Sequence, residues 1–245
     1  MRTFKVDLHI HTVLSPCGDL EMSPVNIVKK AKERGIDIIG ISDHNSTLHA
    51  PLIKKMAAEQ GVLVMMGAEV TTKEEVHCLC FFETEEKLAL FQMYLEKHLP
   101  HIPNDSNKFG YQVVVNKEEE IVEEVEWLLI TGINQSIDEL EKKVHELDGL
   151  FIPAHINKMQ NSVISQLGFL PFDLNVDAIE ITRHISKKTF LEKNTYLKDK
   201  TFIKSSDAHC IDLVGDVYTE FFMNEASFNE VKMALRNEEG RKVDF

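Results

Sequence analysis

The run Val6-Asp7-Leu8-His9-Ile10-His11 ends an apolar stretch near the start of a 245-residue chain with two histidines two residues apart. On a strand, residues i and i+2 point to one face, so the run presents two imidazoles to one point at a strand's end. That is the geometry of two ligands on one metal ion. A lone pair of this kind more often divides into a surface histidine and a hydrogen-bonded core one, so the remaining chain has to decide.

Further along, apolar runs and helical segments alternate. Ser23-Pro24 places a capping residue before a proline and predicts a helix to about Arg34, stopped by Gly35. The β-branched run Ile36–Ile41 reads as a buried parallel strand ending at Ser42-Asp43-His44-Asn45. A helix over about 49–60 precedes a third strand, Val62–Met66, which ends at Gly67-Ala68-Glu69. Val76–Phe82 is a fourth strand, with His77 near its beginning, and a helix follows over about 85–97. Residues 98–131 are the least regular part and read as an insertion. The capping-box spacing of Ser136 and Glu139 starts a helix to about 148, ahead of a fifth strand, Leu150–Ala154, ending at His155. A sixth strand, Ala178–Thr182, presents Glu180 and Arg183; after a helix over about 186–198, a seventh, Thr201–Lys204, runs into Ser206-Asp207-Ala208-His209. A last strand near 217–222 and a helix over about 225–237 finish the chain.

Seven parallel-type strands thus alternate with helices, and five of the eleven histidines stand at strand ends. In barrels of this kind the C-terminal rim is where side chains from many strands converge. Chance scatter would not place them so, and the metal reading of His9 and His11 prevails.

Composition narrows the partners. A net charge of −13 lacks the basic face that a broad grip on nucleic acid needs, though a local cationic site can still capture an anion. Four cysteines without a C-x-x-C pair suit a reducing compartment. With no signal-like N-terminus and no apolar run of ~18 residues, a cytoplasmic protein without membrane contact is expected. No linker-like stretch divides residues 1–245, which read as one domain.

The motifs Asp7-Leu8-His9-Ile10-His11-Thr12, Ser42-Asp43-His44-Asn45, Gly67-Ala68-Glu69, Pro153-Ala154-His155 and Ser206-Asp207-Ala208-His209 occur in the order found in the PHP (polymerase and histidinol phosphatase) domain, which the chain resembles over about residues 4–222. The resemblance implies a distorted seven-stranded β/α barrel with a trinuclear metal site at its C-terminal rim, used to hydrolyse phosphate esters. It implies His9, His11, Glu69 and Asp207 on a first ion, Glu69 with His77 and His155 on a second, and His44, His209 and Asp19 on a third. Many relatives carry Ser-Asp-Gly soon after the first motif; here Ser15-Pro16-Cys17-Gly18 precedes Asp19, leaving the third ion's ligand open between Asp19, Cys17 and no protein group.

Imidazole and carboxylate ligands suit two or three Zn²⁺, Mn²⁺ or Fe²⁺ ions. Three such ions against three carboxylates leave a formal charge of about +3, enough to attract phosphate. Paired metals ~3.5–4 Å apart lower the pKa of a bridging water toward ~7, making a metal-bridging hydroxide the expected nucleophile, supported by Glu69, His155 and Asp207. Arg183 is the expected phosphate clamp, with a salt bridge to Glu180 or Glu192 as its structural alternative, and Lys158 is a second candidate. Asp7 and Asp43 stand beside ligands and either orient imidazoles or serve turns. His49, His98, His101, His145 and His184 match no motif and read as surface or structural.

The expected function is a metal-dependent phosphoesterase acting on a small phosphorylated molecule, a phosphomonoester or nucleotide. One alternative is an exonuclease or phosphodiesterase on short oligonucleotides or nucleoside bisphosphates, with Phe109 and Tyr111 of the insertion stacking a base. Another is a metal-binding regulatory domain without catalysis; metal content per chain separates that from an enzyme.

Overall fold

The computed structural model describes all residues, Met1–Phe245. In chain order the elements are β1 (Arg2–Ile10), α1 (Pro24–Glu33), β2 (Ile38–Ile41), α2 (Ala50–Glu59), β3 (Leu63–Thr71), β4 (His77–Phe82), α3 (Glu85–His98), α4 (Ser106–Phe109), β5 (Val113–Val115), β6 (Ile121–Glu124), α5 (Ile137–Glu146), β7 (Leu150–Pro153), α6 (Val163–Leu167), β8 (Ile179–Glu180), α7 (Lys187–Lys193), β9 (Phe202–Ile203), β10 (Thr219–Met223), α8 (Phe228–Leu235) and β11 (Lys242–Asp244). The expected helix starts hold: Ser23 Oγ accepts from the Asn26 amide, and Ser136 and Glu139 form a reciprocal capping box.

The main sheet curls through seven strands in the order β11-β10-β1-β2-β3-β4-β7. Only β1-β2-β3 are parallel; β4 runs antiparallel to β3 and to β7, and β10 runs antiparallel to β1. This corrects the expectation of seven parallel-type strands. The physical reason is a short connection: residues 72–76 are too few for the crossover of a dozen or more residues that parallel neighbours need, so β3 and β4 form a hairpin. The reversal also explains His77, because an antiparallel strand begins at the edge where its parallel neighbours end. A separate parallel pair, β8-β9, lies beyond β7.

Both faces of the central sheet are covered, which is why its strands read as near-continuous apolar runs. Along β4, Leu79 and Phe81 join one buried cluster with Phe4, Val6 and Leu8 of β1, whereas Cys78, Cys80 and Phe82 join another with Ile27 of α1, Ile53 of α2 and Phe91 of α3. The period of two along the strand thus assigns each residue to its layer. Gly67 makes the close β3-β4 pairing attainable, since a Cβ there would stand 2.0 Å from the Cys80 carbonyl oxygen.

Residues 98–131 include α4 and the hairpin β5-β6. Buried Gln112 stitches this segment together, its Oε1 accepting from the Leu129 amide at 2.8 Å and its Nε2 donating to the Val125 and Trp127 carbonyls. Val113 and Val115 cluster with Val13, and Gly110 lies so close to Pro16 that a Cβ would meet its carbonyl oxygen at 2.3 Å. The segment therefore abuts the loop that follows β1.

Candidate metal centre

Strand ends and their loops bring six histidines and two carboxylates together. His9 and His11 come from the end of β1, where its register with β2 shifts between Asp7 and Ile10. His44 follows β2 and is bridged to Glu69 of β3; His77 opens β4; His155 follows β7; Asp207 and His209 follow β9. His155 (φ 31°) and Asp207 (φ 52°) hold positive φ, a conformation uncommon for residues other than glycine. The backbone is thus strained at two of the residues it has to aim.

Glu69, 1 % exposed, stands at the middle. Its Oε1 is 2.9 Å from His77 Nδ1, 3.0 Å from His155 Nε2 and 3.3 Å from His9 Nε2; its Oε2 is 3.1 Å from His44 Nδ1 and 3.4 Å from His11 Nε2. Asp207 Oδ1 stands 3.4 Å from His9 Nε2, 3.6 Å from His11 Nε2 and 3.6 Å from His209 Nδ1. Three overlapping triads have donor atoms within 4.8 Å of one another: His9, His11 and Glu69; His44, Glu69 and His77; and His11, His44 and His209.

The charges respond to this crowding. Burial works to lower the His9 pKa, but Glu180, Glu69 and Asp207 hold it well above the usual histidine value. Burial, together with His209 and His44, pushes His11 well below it, and burial drives His44 down to about 3. Although burial opposes it, His77 and His9 hold the Glu69 carboxyl well below the usual carboxylate range, and His9 and the His11 hydrogen bond do the same for Asp207. Burial keeps His11, His44 and His155 as neutral donors beside two charged carboxylates, as a divalent cation requires, whereas His9 holds a proton that such a cation would displace.

Outer contacts fix the rings. Glu180, buried at the end of β8, places Oε2 3.1 Å from His9 Nδ1 and accepts from the His155 backbone amide at 2.9 Å. It does not pair with Arg183 as the sequence alternative had it. The available signal was a carboxylate between Ile179 and Ile181 in an apolar run, which has to find a buried partner. Ser15 Oγ donates to Asp43 Oδ1 at 2.7 Å and accepts from His11 Nδ1 at 3.1 Å. Asp7 touches no imidazole side chain by hydrogen bond; it accepts from the Ser206 and Gly215 amides, and its burial raises its carboxyl pKa to about 6.

Beside the histidines lies a cleft of about 570 Å³ lined by His155, Lys158, Arg183, His184, Ser205 and Asp207, among others. Lys158 Nζ is 2.5 Å from Asp207 Oδ2, and Arg183 Nη1 is 2.5 Å from Asp216 Oδ2, a partner the sequence reading missed. Asp19 is exposed and lies outside the three triads; its amide donates to the His209 carbonyl at 2.8 Å. Cys17 is also exposed and lies outside the three triads. Phe109 and Tyr111 are 41 % and 57 % exposed on either side of Gly110. His49 is fully buried away from the triads, and His145 sits between Glu141 and Asp177.

A divalent metal fits this donor set. His9 Nε2 and His11 Nε2 face each other at 3.1 Å while each ring's Nδ1 is already engaged, and buried His44 Nδ1 and His155 Nδ1 make no hydrogen bond. Nitrogen lone pairs crowded together in this way lack an electrophile, which a cation supplies.

Among relatives, YqxK of Bacillus subtilis is 25% identical over 99% of this chain and 64% of its own length. The lesion-specific endonuclease Q of Pyrococcus furiosus superposes with a TM-score of 0.76 and 21% identity over 99% of this chain and 58% of its own; endonuclease Q bound to a 27-mer duplex with an abasic lesion at its active site gives 0.73, with 21% identity over 98% and 58%. A Bifidobacterium adolescentis protein assigned as a metal-dependent phosphoesterase gives 0.56, with 20% identity over 83% of this chain and 87% of its own. The chain spans less than two thirds of YqxK and of endonuclease Q. Residues 197–239 match the PHP-associated family. Residues 7–166, more than half of the chain, match the PHP domain itself, and the chain belongs to that family.

Proposed function

We propose that the chain is a metal-dependent hydrolase of phosphoester bonds, and that its site is the His/Glu/Asp cluster at the strand ends. The observation that carries this reading is the set of three overlapping donor triads sharing Glu69, His11 and His44. In it His9, His11, Glu69 and Asp207 hold one divalent ion, Glu69, His77 and His155 a second, and His44 and His209 a third; Zn²⁺, Mn²⁺ and Fe²⁺ all suit these donors. The third ion's further ligand is Asp19, Cys17 or no protein group, both side chains being exposed. We further read residues 1–245 as one unit, 98–131 as an insertion, and β8-β9 as completing a distorted barrel, a reading favoured by the parallel bridge between Ile10 and Ala208.

Such ions supply Lewis acidity and charge neutralisation at the phosphorus. The chain's own part is positioning: Glu69 and Asp207 keep their negative charge, Glu180 and Ser15 turn the backs of His9 and His11, and Lys158 and Arg183 offer cationic donors along the cleft for phosphate oxygens. Purified protein loaded in turn with Zn²⁺, Mn²⁺ and Fe²⁺ is expected to release phosphate or nucleotide from a panel of esters, and Asp207→Ala to abolish it. Equal turnover by wild type and that variant would refute the assignment.

The substrate is either a small phosphomonoester or a strand of nucleic acid, and one feature favours the second. Phe109 and Tyr111 are exposed where the insertion meets the Pro16 loop, placed to stack bases. Endonuclease Q, whose substrate is duplex DNA with a lesion, shares the fold over nearly the whole chain. Comparing a monoester panel with single-stranded, duplex and abasic oligonucleotides separates the two, with Phe109→Ala and Tyr111→Ala lowering turnover of the oligonucleotides alone.

A further inference from the structure

A chain of buried hydrogen bonds joins the insertion to the proposed metal centre. It begins at the Val115 amide of β5, which donates to His49 Nε2 at 2.9 Å. An amide can only donate, so Nε2 is the bare nitrogen and the proton of the neutral ring sits on Nδ1. His49 Nδ1 then donates to Thr12 Oγ1 at 2.6 Å, and the Thr12 hydroxyl donates to Asp43 Oδ2 at 2.8 Å.

From the opposite side, His11 Nδ1 donates to Ser15 Oγ at 3.1 Å, and Ser15 Oγ donates to Asp43 Oδ1 at 2.7 Å. The two arms converge on one carboxylate, which accepts from both. Thr12, Asp43, Ser15, His11 and His49 are all buried. The carboxylate accepts from both arms, so what passes through it is position: the Thr12 hydroxyl on Oδ2 keeps Oδ1 turned to Ser15.

The consequence falls on His11. If Ser15 Oγ donated to His11 Nδ1 instead of Asp43, the ring proton would move to Nε2, the nitrogen 3.4 Å from Glu69 and 3.1 Å from His9 Nε2. His11 could then no longer offer a lone pair there. His49 holds the Thr12 hydroxyl in its donating rotamer, and Val115 holds His49 in its tautomer.

We propose that His49 is a positioning residue through which the β5-β6 hairpin holds Asp43 in place for Ser15, the residue that sets the tautomer of His11, so that insertion and metal centre are coupled. The proposal rests on the metal-centre reading above. Coupling is reciprocal, so an ion drawn to His11 also tightens the Val115 hydrogen bond.

The test is amide exchange of the segment carrying Val115 in the full chain, with and without Zn²⁺, beside Zn²⁺ affinity measured by chelator competition. In wild type, Zn²⁺ is expected to slow exchange at Val115 at least about 5-fold. Thr12→Val, which keeps the side-chain volume and cuts the relay, is expected to bind Zn²⁺ roughly 10-fold more weakly and to lose the Zn²⁺ dependence at Val115, whereas Thr12→Ser restores both. Wild type that binds Zn²⁺ with no change at Val115 overturns the relay alone, a result that needs no variant to fold. Thr12→Val indistinguishable from wild type overturns it as well, whereas wild type that binds no Zn²⁺ overturns the metal-centre reading beneath it.

Discussion

Glu180 meets His9 from behind: its carboxylate oxygens stand 3.1 and 3.3 Å from Nδ1, the nitrogen opposite the one that faces Glu69 and Asp207. A carboxylate in that place fixes the tautomer and makes the far nitrogen a better donor to a metal. Glu180→Gln keeps an acceptor for the His155 amide but removes the charge. It is expected to weaken metal binding roughly 10-fold, and Glu180→Ala roughly 100-fold, with unfolding in chelator compared to separate lost packing from lost affinity.

Asp207 has a different role, because it faces both His9 and His11 and holds the Lys158 ammonium. Asp207→Asn should reduce metal content by more than the roughly 100-fold expected from an outer contact. Elemental analysis after dialysis checks this, and full metal occupancy in the variant would contradict its place as a ligand.

Arg183 lines the cleft but lies outside the triads, with one guanidinium nitrogen on Asp216. Arg183→Ala is therefore expected to raise KM and lower kcat/KM roughly 10- to 100-fold, the worth of one charge-assisted contact to phosphate, with metal content unchanged. A variant with normal KM would remove Arg183 from substrate binding.

Away from the centre, half-buried His145 lies 3.1 Å from Asp177 and 2.5 Å from Glu141, and Arg236 also reaches Asp177. The Asp177 hydrogen bond raises the His145 pKa above the ordinary 6.5, and His145 helps lower Asp177 below 3.8 against the opposing effect of burial. A raised histidine stabilises fully below 6.5 and loses that contribution as pH rises through its folded value; a depressed carboxylate stabilises above 3.8 and loses it on acidification. The stability gap between wild type and His145→Gln, measured by urea unfolding, should be widest near about pH 5.5 and narrow by about pH 8.5.

Gly67 tests the fold itself. A methyl group there would stand 2.0 Å from the Cys80 carbonyl oxygen and 2.6 Å from the Phe81 ring, neither free to move within paired β3 and β4. Gly67→Ala is expected to cost about 3 kcal/mol or more, read as a shift in the urea midpoint.

Much of this was legible in the sequence because a strand's two-residue period and its apolar limits can be read locally. His9, His11, His44, Glu69, His77, His155, Asp207 and His209 do meet, as the motifs led us to expect. Strand direction was not legible for β4, since periodicity is the same in either direction and only the five-residue connection carried the information. The partners of Glu180, Ser15 and His49 were not legible for another reason. They lie up to 171 residues away, and nothing in a residue's own neighbourhood marks which buried polar group will meet which. The Asp216 partner of Arg183 likewise came from a loop with no pattern of its own.

The hairpin β3-β4 places Glu69 and His77 eight residues apart in the chain and 2.9 Å apart in space, whereas His9 and Glu180 are separated by 171 residues. Closing the longer loop costs about 3 kcal/mol more in chain entropy. The near half of the centre thus needs only its own hairpin, whereas the far half requires β1 to meet the chain's last third. An ion bound across both halves would act as a staple between distant segments. Chelation should accordingly loosen β1 and residues 205–209 while leaving the β3-β4 hairpin in place.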